Sequence, residues 1–562
     1  MDDQMNTSLK RAWQAQIHQL AARNPKLAKQ VWQNRQMYFE RFTHFYQQLA
    51  NLPRKFQRKF LKRLATTLIG AALLLALGQA LPAQAAVITV DGVVCTLAEA
   101  ITSANNDNAA GNGCVDGSGA DVIDLQTDVT LSAPLPPITS EIVLEGNEHF
   151  LDGNGSNRVL KVEATGNLTL NEAIITHGNI YQGGAGILNE GMMTINNSAF
   201  EGNQAGYYGK GGGLWNKTNG IVTIYNTTFR GNQAGGGGGI WNDGTMVVNE
   251  SLLSGNSSLA EFFGGGGGIR NSEIMTLNNT TIHENQAWNG GGIINVDTLT
   301  INNSTISGNT AESNGAGISN YYGVVTLNNS TLSGNSAFYQ GGGIRNWGGI
   351  VLATNATFAS NSAYNGGGIS NIYDGTVNLS RSLVAGNSAQ NGAEINNSAI
   401  VNANNLNVIG YSRSHRSVGF MPGATDIIPP GGLKTVVNRN LTDNGGATLT
   451  HALVSGSVAI DMAPNEDCAV APLYGLDQRG YARNVDGNGQ LTTNECDAGA
   501  FEFIRAISPT PTPQPTRIPA PDTVEDSSLI SHQIIPSGAP FFTMVSIFVS
   551  LANFLFFRKN RL

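Results

Sequence analysis

Between residues 183 and 400 the chain alternates apolar and polar positions in short bursts, and the bursts recur. Each begins with a glycine-rich run ending on an apolar residue, with asparagine two positions later: GGAGILN, GGGLWN, GGGIWN, GGGIRN, GGGIIN, GAGISN, GGGIRN, GGGISN and GAEINN. The anchors are Ile187, Leu214, Ile240, Ile269, Ile293, Ile318, Ile344, Ile369 and Ile395, and their eight intervals average 26 residues. Each unit continues with a strand such as MTLNN or LTINN and another such as STISGN or STLSGN. Strict alternation marks half-buried strands and puts Ile293, Leu299, Ile301 and Ile306 on one side, Thr and Asn on the other. A short period of strands that cannot bury an apolar face alone reads as a solenoid. The expected fold is all-β: a parallel β-helix with three strands per turn and a ~26-residue repeat. It should run from about 120 to 410, and its nine clear turns at ~4.8 Å make about 43 Å of rod.

Two asparagine columns accompany the strands. One is Asn189, Asn216, Asn242, Asn271, Asn295, Asn320, Asn346, Asn371 and Asn397. The other is Asn203, Asn232, Asn256, Asn285, Asn309, Asn335, Asn361 and Asn387. A polar stripe of this kind suits a ligand, but every turn also needs a corner. Asparagine tolerates the left-handed backbone there and can stack amide on amide, so the columns are read as structural ladders. The glycine runs are corners too, since no phosphate-loop pattern GxxxxGK[ST] occurs.

Composition narrows the class. Charged residues are only 13%, and Gly is 69 of 562 without a three-residue period, which excludes coiled coil, acidic disorder and collagen. The net charge of −8 averages unlike parts: residues 1–63 hold 13 basic and 3 acidic residues, whereas 86–557 hold 16 and 37, a net of −21. That acidic body should repel nucleic acid.

The termini read as addresses. Lys55–Arg63 is basic, Leu64–Leu77 is apolar, and Ala83-Gln84-Ala85 is a small-x-small cleavage pattern, so a signal peptide cut after Ala85 is expected. The 54 residues ahead of the basic run are either an extended signal region or precede a true start at Met37. At the other end, the Pro-rich Ser508–Pro521 is a stiff spacer. Pro540–Phe557 is uncharged and followed by Arg558-Lys559-Asn560-Arg561, the pattern of a membrane anchor with a cytoplasmic basic flank. The domains expected are 1–85 (signal region), 86–125 (N-terminal cap), 126–410 (β-helix), 411–505 (C-terminal module), 506–538 (linker) and 539–562 (anchor).

Candidate chemistry is sparse. Cys95, Cys114, Cys468 and Cys496 allow three pairings; in an exported chain without CxxC the local pairs Cys95–Cys114 and Cys468–Cys496 are expected rather than zinc ligation. The repeat region holds Asp243, Asp297 and Asp374 at unlike offsets, and Glu261, Glu273 and Glu284 likewise form no facing pair of the kind glycosidases need. Its basic residues, Lys210, Lys217, Arg230, Arg270, Arg345 and Arg381, are scattered, and His177 and His283 have no identifiable nucleophile partner. No catalytic residue is assigned. Trp215, Trp241, Trp288 and Trp347 are candidates to line a sugar-binding face. Asn484, Asp486, Asn488, Gln490 and Glu495 fit part of a twelve-residue calcium loop, but Asn484 replaces the first Asp and helix patterns do not flank it. Calcium there is expected to bind weakly if at all, and no other cofactor is indicated.

The repeats resemble those of the pectin-lyase-like superfamily of right-handed parallel β-helices, and SAFEGN, TTFRGN and STISGN are similar to the short repeats of polymorphic outer-membrane proteins. The stretch Cys95-Thr96-Leu97-Ala98-Glu99-Ala100-Ile101, with Ala104-Asn105-Asn106, Gly113-Cys114 and Gly119–Ile123, resembles the CSLREA domain, departing at Thr96 and Ala98. Asn444-Gly445-Gly446, Thr450–Leu453, Asp477-Gln478-Arg479-Gly480 and Cys496-Asp497-Ala498-Gly499-Ala500-Phe501-Glu502 resemble the choice-of-anchor Q domain, with Ala498 where that family has Ile. The resemblance implies a bacterial surface protein with an interchangeable C-terminal anchor and no established activity. The sequence therefore supports an exported, membrane-anchored rod for adhesion or display, whose partner is an extracellular glycan or another cell surface. The alternative is a carbohydrate-active β-helix enzyme, a polysaccharide lyase or glycoside hydrolase; fold alone does not carry that activity.

Overall fold

The structure is a computed structural model that describes residues 85–504, apart from 110–112, 262–264, 411–416, 471–472 and 484–494. The expected signal region, linker and anchor lie outside the described residues. Among those described, no helix is long and apolar enough to cross a membrane.

Residues of the repeat fold one turn at a time into a parallel β-helix. In the turn that starts at Ile293, strands span Ile293–Asn295, Thr298–Asn302, Thr305–Ser307 and Thr310–Asn314. Equivalent strands of successive turns pair in parallel, so the anchors stack: Ile293 faces Ile318, and Ile318 faces Ile344. Three main sheets result. The x-T-L-x-N strands build the first, of 13 strands; the I-x-N strands the second, of 11; and the S-T-x-S strands the third, of 12. A fourth sheet of 7 strands, not foreseen from the sequence, follows the third. Most of its strands are two residues, such as Gln204–Ala205, too short for alternation to show.

The core is the column of inward residues. Ile293, Leu299, Ile301 and Ile306 are buried in every respect that matters to packing, at most 1% exposed, and belong to one hydrophobic cluster running the length of the rod. Corners lie where the backbone turns left-handed. Asn303 (φ 51°) and Gly308 (φ 64°) flank the third strand, a conformation that asparagine and glycine tolerate best. Gly317 is glycine for a different reason: a Cβ there would lie 2.5 Å from the carbonyl oxygen of Gly343 on the next turn.

The asparagines form amide ladders. In the first column each Nδ2 donates to the Oδ1 one turn on, as Asn295 does to Asn320 at 2.9 Å. In the second, Asn309 Nδ2 donates to Asn335 Oδ1 at 2.9 Å and to the Ile282 carbonyl at 3.0 Å. This second chain ends on Glu394, whose carboxylate accepts Asn387 Nδ2 at 2.7 Å, which accounts for GAEINN where other units read GGGI. A third ladder on the first sheet links Asn249, Asn278, Asn302 and Asn328.

Both ends are elaborated. The first sheet already begins with Val87–Val90, paired parallel to Asp121–Leu125. Between these strands lies the helix Leu97–Asn106, closed by a capping box in which Thr96 and Glu99 bond each other's backbone. Its Leu97, Ala100, Ile101 and Ala104 join the main core, and Cys95–Cys114 ties its flanks. After the last turns, the described residues between 430 and 504 run back along the rod and cover the outer face of the third sheet. Thr305 Oγ1 donates to the Leu449 carbonyl (2.6 Å), Thr331 Oγ1 to Gln478 Oε1 (2.7 Å), and the Ala500 amide donates to Thr357 Oγ1 (3.0 Å). Below them Ala359, Leu383 and Ala385 pack on Leu433, Val436, Val437 and Phe501. The third-sheet strands register this cover. From Ala199–Glu201 to Thr281–His283 the strands bury only their middle residue, whereas Thr305–Ser307, Thr331–Ser333, Thr357–Ala359 and Leu383–Ala385 are buried throughout.

Candidate binding face on the second sheet

The middle residue of each I-x-N strand points away from the apolar core, yet most of the column is covered: Leu188, Trp241, Ile294, Ser319, Arg345 and Ser370 are at most 8% exposed. In register the middle residues are Leu188, Trp215, Trp241, Arg270, Ile294, Ser319, Arg345 and Ser370. Their neighbours are fixed by the core anchor on one side and the asparagine ladder on the other, so this position alone is free to vary between turns.

At one end of the column Trp215 and Trp241 are ladder neighbours. Lys210, from the preceding glycine-rich loop, lies over both rings, 5.2 and 4.6 Å from their centroids. Arg270 lies over the Trp241 ring at 4.6 Å, and Lys217 over Trp215 at 5.6 Å. Asp243 gathers this group: it accepts Trp241 Nε1 at 2.6 Å, Trp215 Nε1 at 3.0 Å and Lys210 Nζ at 3.1 Å. Burial pushes the Asp243 carboxyl up, but the two indole hydrogen bonds and the Lys210 charge outweigh it and hold it below the usual carboxylate range. It is therefore an ionised acceptor.

Toward the other end a second aromatic group surrounds Arg345. The guanidinium lies 4.3 Å from the Trp347 centroid and 4.8 Å from that of Tyr321. Tyr373 stacks on Trp347 at 3.9 Å, and Trp347 Nε1 donates to Tyr322 Oη at 3.2 Å. Cation–aromatic contacts of this kind are worth roughly 0.5–2 kcal/mol each. Planar, rigid rings beside arginines are the composition of binding surfaces.

Of the four tryptophans singled out in the sequence, the structure brings Trp215, Trp241 and Trp347 onto this one sheet and puts Trp288 on the fourth, in Gln286–Asn289. Asp297 follows the Ile293–Asn295 strand and accepts Thr298 Oγ1, and Glu284 pairs with His283. His177 contacts Asp152 at 3.2 Å. No group of three His, Cys, Asp or Glu among the described residues is placed to hold a metal ion. The candidate calcium ligands Asn484, Asp486, Asn488 and Gln490 lie outside the described residues. Glu495 opens a two-residue strand antiparallel to Ala463–Pro464, next to the Cys468–Cys496 disulfide.

A buried charge network that residue spacing did not reveal lies in the C-terminal module. Asp477, Arg479, Arg483, Asp497 and Glu502 come together under its surface; Arg483 bonds Glu502 at 3.4 Å, the Gly499 carbonyl at 2.8 Å and Asn329 Oδ1 on the rod at 2.9 Å. Both Asp497 oxygens accept backbone amides, from Asp461 and Phe503, whereas Glu502 Oε1 has no hydrogen-bond partner among the described residues. Burial, then the neighbouring Asp497 charge, pushes the Glu502 carboxyl up, and the orphaned oxygen marks it as the protonated member. The signal was present in the DQRG and CDAGAFE stretches, which concentrate charge in a chain that has little. Arg483 reaches the rod through Asn329, and the other charges bond within the module.

No family model matches the chain, and neither a curated protein nor a solved structure does so.

Proposed function

We propose that the protein is an exported, membrane-anchored surface rod that holds a glycan polymer along its second-sheet face without transforming it. The observation that carries this reading is the in-register outward column with an aromatic–cationic group at each end. A sugar ring offers apolar C–H faces and polar edges, which suit rings and guanidinium planes set side by side. Trp215 and the Arg345 rung are five turns apart, about 24 Å at ~4.8 Å per turn, so the two groups suit a chain better than a single sugar. Support for holding over hydrolysis comes from Asp243: it is ionised and already bonded to Trp215, Trp241 and Lys210, so it is poorly suited to donate a proton. The CSLREA-like and choice-of-anchor Q-like motifs support the surface location and the interchangeable anchor.

The test is a glycan array probed with the detergent-solubilised full chain, beside a depolymerisation assay on each bound polymer. Binding that falls at least roughly tenfold in Trp241→Ala, with no new chain ends formed, is expected. Binding untouched by that change, or shortening of the bound polymer, would overturn the reading.

A further inference from the structure

Among the described residues, the buried and half-buried arginines come with an anion nearby, with one exception. Arg483 has Glu502, and Asp477 and Asp497 nearby; Arg270 has the Asp243 charge; Arg158 has that of Glu190; Arg381 has that of Asp467. Arg345 is 3% exposed and, among the described residues, has no carboxylate beside it; its neighbours are Tyr321, which also engages it through a side-chain hydrogen bond, and Tyr373. Its Nε donates to the neutral amide of Gln340 at 3.2 Å, and its Nη1 has no hydrogen-bond partner among the described residues. The rungs on either side, Ser319 and Ser370, are too short to reach it and have unpartnered hydroxyls of their own. An uncompensated buried guanidinium costs several kcal/mol, and fully buried charges are almost always paired.

The surroundings are those of a binding surface. Around Arg345 lie exposed rings: Tyr322 at 70%, Tyr373 at 59%, and Phe338 and Tyr339 on the loop that leads into Gln340 at 68% and 54%. Nothing at this end does for Arg345 what Asp243 does for Lys210. We infer that Arg345 is an oxyanion subsite of the second-sheet face, which takes a carboxylate or sulfate ester carried by the bound glycan. The guanidinium fork matches a planar oxyanion through two parallel N–H donors, and Nη1 is the donor left over. Because Nη1 is covered, an entering group has to displace a ring. The rings that lie over the guanidinium are Trp347 and Tyr321, and Tyr373, more than half exposed, stacks on Trp347. The two ends of the face then differ in chemistry: the Trp215–Trp241 end, neutralised by Asp243, takes uncharged sugar faces, and the Arg345 end takes the charge.

This inference rests on the face being a glycan-binding face, and the experiment separates the two. The full chain in detergent is titrated with three polymers on one backbone: hydroxyethyl-cellulose, carboxymethyl-cellulose and cellulose sulfate. Wild type should prefer at least one anionic polymer by roughly tenfold to a hundredfold, the range of a charge-assisted hydrogen-bond pair. Arg345→Gln should erase that preference, so that the three polymers bind alike, and Arg345→Lys should restore part of it; whether carboxymethyl or sulfate wins identifies the oxyanion. Equal binding of all three by wild type, or a preference that survives Arg345→Gln, overturns the subsite and leaves the face intact. If no polymer binds, the face reading fails. The subsite is then judged by titration with sodium acetate and sodium sulfate followed through tryptophan emission, in wild type and in Trp347→Phe to assign the signal. A saturable change lost in Arg345→Gln supports it, and no change overturns it. Melting curves of each variant, matched to wild type, exclude loss of fold as the cause.

Discussion

Replacing Asn309 with Ala should be among the most damaging single changes in the rod. Asn309 is fully buried. Its Nδ2 donates to Asn335 Oδ1 (2.9 Å) and to the Ile282 carbonyl (3.0 Å), and its Oδ1 accepts the Asn285 amide (2.9 Å) and Asn285 Nδ2 (3.0 Å). Four hydrogen bonds at a net of about 1 kcal/mol each give roughly 4 kcal/mol, and the buried Asn285 amide left without an acceptor adds to it. In a solenoid the loss is first felt locally, because each repeat contacts only its neighbours. The assay is hydrogen exchange of the amides on the turns around Asn309, beside denaturant unfolding of the whole chain. Protection should fall there and recover a few turns away. A double change, Asn309→Ala with Asn335→Ala, should cost less than the sum of the singles, whereas Asn309→Ala with the distant Asn203→Ala should be additive. A single-mutant cost below about 1 kcal/mol, or additivity of the adjacent pair, would mean that the amides are corner fillers rather than a coupled ladder.

The C-terminal module should loosen as pH rises. Glu502 has its folded pKa raised above its ordinary 4.5, so above about pH 4.5 the folded state retains a proton that the unfolded chain has lost, and stability declines with increasing pH. Exchange protection of the Ala498–Phe501 amides should drop from pH 5 to pH 9 and the slope should flatten in Glu502→Gln, whereas a rise with pH would refute the assignment. Reduction of the disulfides should act on the two ends separately. Loops of 19 and 28 residues predict about 3 and about 3.5 kcal/mol, with Cys95→Ala/Cys114→Ala exposing the Leu97–Asn106 helix to proteolysis and Cys468→Ala/Cys496→Ala the C-terminal module. Equal damage to both ends from either pair would show that the two are coupled.

The sequence carried the solenoid because its constraint repeats: an Ile that must enter the core and an Asn that must cap it recur on every turn, as at Ile293 and Asn295. The fourth sheet was not legible, since Gln204–Ala205 and its equivalents are too short to show a period. The C-terminal fold-back left a trace that a repeat alignment averages away: the last residue of the third strand runs Glu201, Arg230, Ser254 and His283 over the uncovered turns, and Ser307, Ser333, Ala359 and Ala385, all small, under the cover. The binding face was legible only in part. Trp215, Trp241 and Trp347 stand out as residue types, but the grouping of Trp215 with Trp241 and of both with Lys210 and Asp243 depends on contacts between positions 26 to 33 apart.

Within each I-x-N strand the first and third residues have fixed tasks, and x is Leu, Trp, Trp, Arg, Ile, Ser, Arg and Ser over eight turns. A position that accepts serine on two turns is not one the fold requires to be tryptophan. Trp215→Ser is therefore the change that separates binding from folding. Trp215 is half-buried, and Asp243 keeps Lys210 and Trp241 as partners when it is lost. The expected stability cost is about 1–2 kcal/mol, the usual range for a single substitution and well below that of Asn309→Ala. Binding, by contrast, should fall roughly tenfold or more if the ring is an anchor of the face. If Trp215→Ser destabilises the rod as much as the loss of a ladder asparagine, or leaves glycan binding as it was, the tryptophan column is a packing device of the corner and the binding face must be sought elsewhere.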